Sequence, residues 1–221
     1  MDRHDALLVG GAVVVIGGFL AADHDIRNLV QRHTSPSGQD VAEGFNTLGN
    51  PATLLGLNAG VIAIGVVRES YGGDDRLKEA GLVSLEAEIF AVAATAALKG
   101  ITGRASPDKQ QGTMHFRPFS RVGSFPSTHA AASFAVATVY SDRFEAPVKW
   151  LAYGLAAAVG FSRVYSDEHF ASDVVAGSLI GWGMGKFLSH RHVEKPLQWQ
   201  AWPMVAMEHS VGVGLEVSRH F

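Results

Sequence analysis

His169 and Asp173 stand four residues apart, a spacing that puts both side chains on one face of a helix. A carboxylate beside an imidazole fixes the ring's tautomer and stabilises the positive charge that develops on it. That makes His169 a competent nucleophile toward phosphorus. Alone, such a pair reads more readily as a surface contact. Arg163, six residues earlier, tips the reading, because a guanidinium can bind phosphate oxygens in pairs. A second cluster, Phe125-Pro126-Ser127-Thr128-His129, opens a small-residue helix whose N–H groups and positive dipole end suit a phosphate. His129 there can protonate a leaving oxygen. Lys99, at the end of an apolar segment, is a third cation for the same anion. The other eight histidines lack such company and read as surface residues. There is no HExxH, Walker or dinucleotide glycine motif, and the absence of cysteine excludes disulfides and thiolate metal sites. No metal or cofactor is expected.

Helices must position these groups. Ala6 to Ala22 is an uncharged run rich in Val, Gly and Ala, about 25 Å long as a helix and just short of a bilayer core. It reads as a retained membrane helix in preference to a cleaved signal, since Leu20-Ala21-Ala22 is a poor cleavage site. Ile26, Leu29 and Val30, and then Val41, Phe45 and Leu48, suggest two short amphipathic helices split by Ser35-Pro36-Ser37-Gly38. Ala52–Val67 is a good spanning candidate. Leu77–Leu98 is a further helix, although Glu86 and Glu88 inside it need partners or water at membrane depth. A polar loop, Lys99–Ser124, precedes three apolar segments: Pro126–Tyr140, Val148–Phe161 and Phe170–Leu188. Gly177, Gly181 and Gly185 recur every four residues in the last of these and give one smooth face for close helix contact. The tail from Val211 alternates like a single strand, and residues 196–221 carry no assigned role. We therefore expect one domain over residues 1–221, an all-α, up-down bundle of about six helices embedded in a membrane, with its functional core over about 77–188. In such a bundle the end of one helix and the start of the next lie on one face, so all three clusters meet at the same end.

Composition narrows the partners. The net charge of −3 (18 Lys+Arg against 21 Asp+Glu) offers no basic surface for nucleic acid. Charged residues make up only 18% of the 221, and mean hydropathy is +0.13, as in a helical membrane protein with sizeable polar loops.

Together the three clusters resemble the type 2 phosphatidic acid phosphatase superfamily, which also contains the vanadium haloperoxidases. Its signatures are K-x6-R-P, P-S-G-H and S-R-x5-H-x3-D. The third is met by Ser162-Arg163, His169 and Asp173. The second is met by Pro126-Ser127-Thr128-His129, with Thr in place of Gly. In the first, Lys99 and Pro107 are in register but Ser106 occupies the arginine position; Arg104 is the nearest substitute. The resemblance implies a metal-independent phosphatase acting on a phosphate ester or diphosphate of a membrane lipid. In it His169 forms a phosphohistidine, His129 is the general acid and then the base, and Asp173 orients His169. Lys99, Arg163, Ser127, the Thr128 amide and Arg104 hold the phosphate. The alternatives it leaves open are a vanadate-dependent haloperoxidase and a catalytically weakened binding or structural member. Basic residues number nine in the loops opposite the site and seven on the site face. That favours a multi-pass protein in a bacterial-type cytoplasmic membrane with the site facing outward, against a soluble periplasmic form. Oligomeric state is left open.

Overall fold

The computed structural model describes residues 3–120, 123–194, 198–206 and 210–218; Arg121 and Lys195, counted among the basic residues above, and tail positions 196–197, 207–209 and 219–221 lie outside the described residues. Seven α-helices are described: α1 (Arg3–Gln31), α2 (Pro36–Leu48), α3 (Pro51–Ser70), α4 (Arg76–Thr102), α5 (Thr128–Arg143), α6 (Val148–Tyr165) and α7 (Ala171–Glu194). An antiparallel hairpin, β1 (Gln198–Ala206) and β2 (Ser210–Ser218), follows them. The tail thus forms two paired strands where one was expected. Trp199, Trp202 and Pro203 break the alternation of β1, which hides it in the sequence.

The first short amphipathic helix expected around Ile26–Val30 is instead the continuation of α1, because no Pro or Gly interrupts the chain between Ala22 and Gln31. The second is α2. Ser35 caps it by accepting from the Gly38 N–H (3.1 Å), with Pro36 in the first turn. Asn50 caps α3 in the same way, accepting from Ala52 N–H at 2.9 Å. Helix α4 runs one turn beyond Leu98 and ends at Gly103 (φ +55°), where a side chain would strike the Arg117 carbonyl.

Helix α5 is the axis of the bundle, packed by α4, α6 and α7. Its Ala130, Ala131, Ala132 and Ala135 are wholly buried. The glycine stripe of α7 lies directly on it: a Cβ at Gly177 would run into the Ser127 carbonyl and one at Gly181 into the Ala131 carbonyl. Close contact between α5 and α7 is therefore what those glycines are for. Around this core the outer helix surfaces are apolar and exposed: Val13 and Val14 on α1, Ile64 on α3, Trp150 and Leu151 on α6. Helices α1, α3 and α4 are long and apolar enough to cross a membrane. Glu86 and Glu88 of α4 both have partners. Glu88, fully buried, accepts from Asn58 Nδ2 at 2.9 Å, and Glu86 meets His192 Nε2 at 2.6 Å. His192 is thus no surface histidine; the carboxylate one helix away holds it inside the bundle.

Candidate active site

The α6–α7 turn presents His169. The Arg163 carbonyl accepts from the N–H groups of Glu168 (3.1 Å) and His169 (3.2 Å), folding the chain back over the end of α6. Asp167 takes the left-handed conformation (φ +57°), and Arg27 of α1 grips its carboxylate with two bonds of 2.6 Å each. In the first turn of α7, Asp173 Oδ2 accepts from Phe170 N–H (3.0 Å) and faces His169 Nδ1 (3.4 Å). Both side chains are buried. With Nδ1 held there, Nε2 is the ring nitrogen available for chemistry. Burial holds the His169 pKa below its ordinary value; Asp173 opposes that shift, and the charges of Lys99 and Arg163 add to it.

His169 lines a cavity of about 450 Å³ with Lys99, Ser106, His115, Arg117 and Glu168. Lys99 sits in the last turn of α4, its Nζ donating to the carbonyls of Gly123 (3.0 Å) and Ser124 (3.4 Å). Both acceptors are neutral, so its charge is not cancelled by them. The loop that closes the cavity is pinned to α4's end by Arg117 N–H on Gly103 O (3.0 Å) and Ser124 N–H on Arg104 O (2.8 Å). His115, read as a surface residue from the sequence, is part of this wall.

Ser127 N-caps α5, and its own N–H donates to the Asp173 carbonyl at 2.9 Å, so the phosphate-cradle helix start is tied to the His–Asp helix. Thr128, where the resemblance calls for glycine, receives a bond from Thr95 Oγ1 on its hydroxyl (3.2 Å). Its side chain is thereby drawn to α4 and away from the helix mouth. His129 and Arg163 line an adjoining opening of about 460 Å³ with Asn46, Asn50 and Glu168. Glu168 borders both spaces, and its carboxylate pairs with Arg163 Nη2, while Arg163 Nε is buried with no partner among the described residues. An anion reaching Arg163 must compete with Glu168.

Burial, then the charges of Arg163, His169 and Lys99, lower the His129 pKa to about 3, a shift that the negative charge of a bound phosphate opposes. The structure therefore brings His169, Asp173, His129, Lys99, Arg163, Ser127 and Thr128 to one end of the bundle, as helix order required. Arg104 also lines the cavity of about 450 Å³, but its side chain is engaged elsewhere. Its guanidinium is fully buried and bonded to Asp23, Ser172, Asp173 and the Thr113 carbonyl, with no donor left over for a phosphate. The expected phosphate contact is replaced by these protein contacts, because Asp23 and Asp173 offer the guanidinium two carboxylates at once. Ser106, in the register of the family arginine, lines the cavity and donates to Asp108. Sequence reasoning missed Asp23, Ser172 and Glu168. Asp23 merely ends an apolar run, and Ser172 and Glu168 fall at variable positions of the third signature, so nothing local marks them.

Residues 80–196 match the PAP2 superfamily. Over 61 residues, 26% of this chain and 14% of the relative, the sequence is 36% identical to Lipid A 1-phosphatase of Porphyromonas gingivalis. Over 83 residues, 38% of this chain and 41% of the relative, it is 30% identical to Lipid A 4'-phosphatase of Helicobacter pylori. The matches thus span less than half the length of these curated relatives. The fold is similar to that of the transmembrane PAP2 type phosphatidylglycerolphosphate phosphatase from Bacillus subtilis, with a TM-score of 0.66 over 86% of this chain and 96% of that one at 23% identity. That likeness is one of fold, and three of the helices in it, α1, α3 and α4, are long and apolar enough to cross a membrane. More than half of the sequence lies inside the superfamily match, and that stretch carries Lys99, Ser127, His129, Arg163, His169 and Asp173; the chain belongs to the PAP2 superfamily.

Proposed function

We infer that the protein is a lipid-phosphate phosphatase working through a phosphohistidine. The observation that carries this reading is the His169–Asp173 pair: a buried carboxylate holds Nδ1 and leaves Nε2 for a cavity that Lys99 shares. In the first step His169 Nε2 attacks phosphorus and the bond from phosphorus to the lipid oxygen breaks, while His129 gives that oxygen a proton. In the second, water loses a proton to His129 and attacks the phosphohistidine, releasing inorganic phosphate and restoring His169. Lys99, Arg163, Ser127 and the Thr128 N–H meet the equatorial oxygens, where charge stabilisation supplies most of the catalysis in phosphoryl transfer. Two fixed cations and a helix N-terminus serve this without a metal.

The substrate class follows from the setting. A site at one end of a bundle whose helices α1, α3 and α4 are long and apolar enough to span would lie at headgroup depth, where a phosphate on a membrane lipid reaches it with its chains still in the bilayer. The purified protein should release inorganic phosphate from detergent-dispersed phosphatidate, phosphatidylglycerol phosphate, a polyprenyl diphosphate or lipid A. Silence across that panel, with folded protein, would sink the reading.

The chain crosses the membrane several times with the site outward, as the basic residues at the opposite end suggest. The sequence has no cysteine, which makes the test direct. Met114 is exposed in the loop over the cavity and Tyr71 is exposed at the far end of α3. In intact cells, a membrane-impermeant maleimide should label Met114→Cys and spare Tyr71→Cys. The reverse pattern would turn the protein over.

A further inference from the structure

One oxygen of Asp173 faces His169; the other faces a buried cluster drawn from three distant stretches of chain. Arg104 supplies the centre of it. Nη1 donates to Asp173 Oδ1 (2.5 Å) and Ser172 Oγ (2.7 Å), Nη2 to Asp23 Oδ2 (2.8 Å) and the Thr113 carbonyl (2.6 Å), and Nε to the same carbonyl (3.0 Å). These bonds account for all five guanidinium N–H groups. The Phe170 ring lies 4.3 Å from the guanidinium carbon and the Phe116 ring 5.5 Å away. Asp23, from α1, completes the set: Oδ1 accepts from the Ser172 N–H (2.9 Å) and Oδ2 from the Ser172 hydroxyl (2.5 Å). Asp23, Arg104, Ser172 and Asp173 are all fully buried.

We propose that Arg104 and Asp23 are positioning residues for the His169–Asp173 pair, Arg104 fixing the carboxylate and Asp23 supplying the countercharge that keeps it effective. The inference rests on the phosphatase reading. Geometry gives the first half. Arg104 pins Oδ1 while Phe170 N–H pins Oδ2, so the Asp173 carboxylate cannot rotate and His169 Nδ1 meets it in one orientation. Charge gives the second. A guanidinium bonded to Asp173 alone would cancel the negative charge that an attacking imidazole needs beside it. With Asp23 added, two carboxylates oppose one guanidinium. The cluster is singly negative while His169 is neutral, and becomes neutral as His169 takes up positive charge on bonding to phosphorus. That balance is present before the reaction and requires no rearrangement during it. Asp23 also caps the first turn of α7 from another helix, so α1 is joined to the catalytic helix at its functional end.

The test compares the full-length parent with Asp23→Asn, Arg104→Ala and Arg104→Lys in detergent, using 4-nitrophenyl phosphate as substrate and inorganic phosphate as competitive inhibitor. Positioning predicts a fall in kcat of roughly 10–100-fold for Asp23→Asn and Arg104→Ala, with KM and phosphate inhibition within about twofold of the parent. Arg104→Lys, which keeps the charge and loses the fork, should recover only part of the rate. A rise in KM and in the phosphate inhibition constant with kcat held would overturn the proposal, because Arg104 would then be a phosphate ligand. Should Arg104→Ala not fold, Asp23→Asn, of the same shape, decides alone, and parent-like kcat in it overturns the proposal. Ring ¹⁵N resonances of histidine-labelled protein, with His169 assigned through His169→Asn, give a readout that needs no turnover. A displaced His169 resonance in Asp23→Asn supports positioning even if the parent hydrolyses nothing, which would sink the phosphatase reading instead. An unmoved resonance overturns positioning.

Discussion

His169→Ala should lower phosphate release by roughly 10⁴-fold or more, the scale on which loss of the nucleophile acts in covalent catalysis. Among the described residues, no other group at this end of the bundle has a ring nitrogen aimed by a buried carboxylate. The variant should still fold, since Asp173 keeps its bonds from Phe170 N–H and Arg104 without the imidazole. Quenching the parent with a ³²P-labelled lipid phosphate should trap label on His169, and the variant should trap none. Label on His129 in the parent would exchange the two histidine roles. The pH response has a definite sign. Because burial holds the His169 pKa below its ordinary value, the ring is neutral and nucleophilic at neutral pH. Protonation removes the attacking lone pair, so the acid limb of the rate profile should fall as pH drops through a value below the unperturbed ~6.5.

The up-down order of apolar segments was legible because it follows from two local signals, lengths of uncharged sequence and the Pro, Gly and Ser breaks between them. Ser35-Pro36 marks a helix start that the structure contains. The merging of α1 with the amphipathic stretch after it was not legible. Asp23 reads as the charged end of an apolar run, and what buries it is Arg104 and Ser172, which lie 81 and 149 residues away in sequence. Burial of a charge is a property of its partner, and partners at that distance leave no local trace. The hairpin was half legible for a similar reason: β2 alternates and β1 does not.

At the site, the residue types and spacings located the cluster, because helix ends converge by topology alone. What they could not separate is which of two neighbouring arginine-register positions faces the cavity. Arg104 and Ser106 are two residues apart, and beyond Gly103 the chain leaves the helix for an irregular loop whose direction depends on Arg117 and Ser124. Both positions line the cavity, but the loop commits the Arg104 guanidinium to two buried carboxylates. A missing family arginine and a nearby surplus one therefore look like a simple shift in sequence, while in space the surplus guanidinium is held by protein carboxylates.

His129→Ala should divide substrates by their leaving groups. His129 is the second residue of α5, held close to Arg163 by the opening they both line, and beside the α7 start through the bond from Ser127 N–H to the Asp173 carbonyl. A lipid alkoxide is a poor leaving group, and expelling it unprotonated is costly, so loss of the general acid should slow hydrolysis of a lipid phosphate about 10²–10⁴-fold. Nitrophenolate leaves readily as an anion. With 4-nitrophenyl phosphate the first step then needs little acid help, and the variant should phosphorylate His169 at a rate within about tenfold of the parent. The second step still lacks its base, because water must lose a proton to attack the phosphohistidine. The variant should therefore show a burst of nitrophenolate of about one equivalent, followed by slow turnover, as expected when a covalent intermediate accumulates. Adding imidazole, which can accept that proton from water, should speed the slow phase and leave the burst unchanged. Equal losses on both substrates with no burst would remove His129 from both proton transfers and leave it a structural residue of the α5 N-terminus.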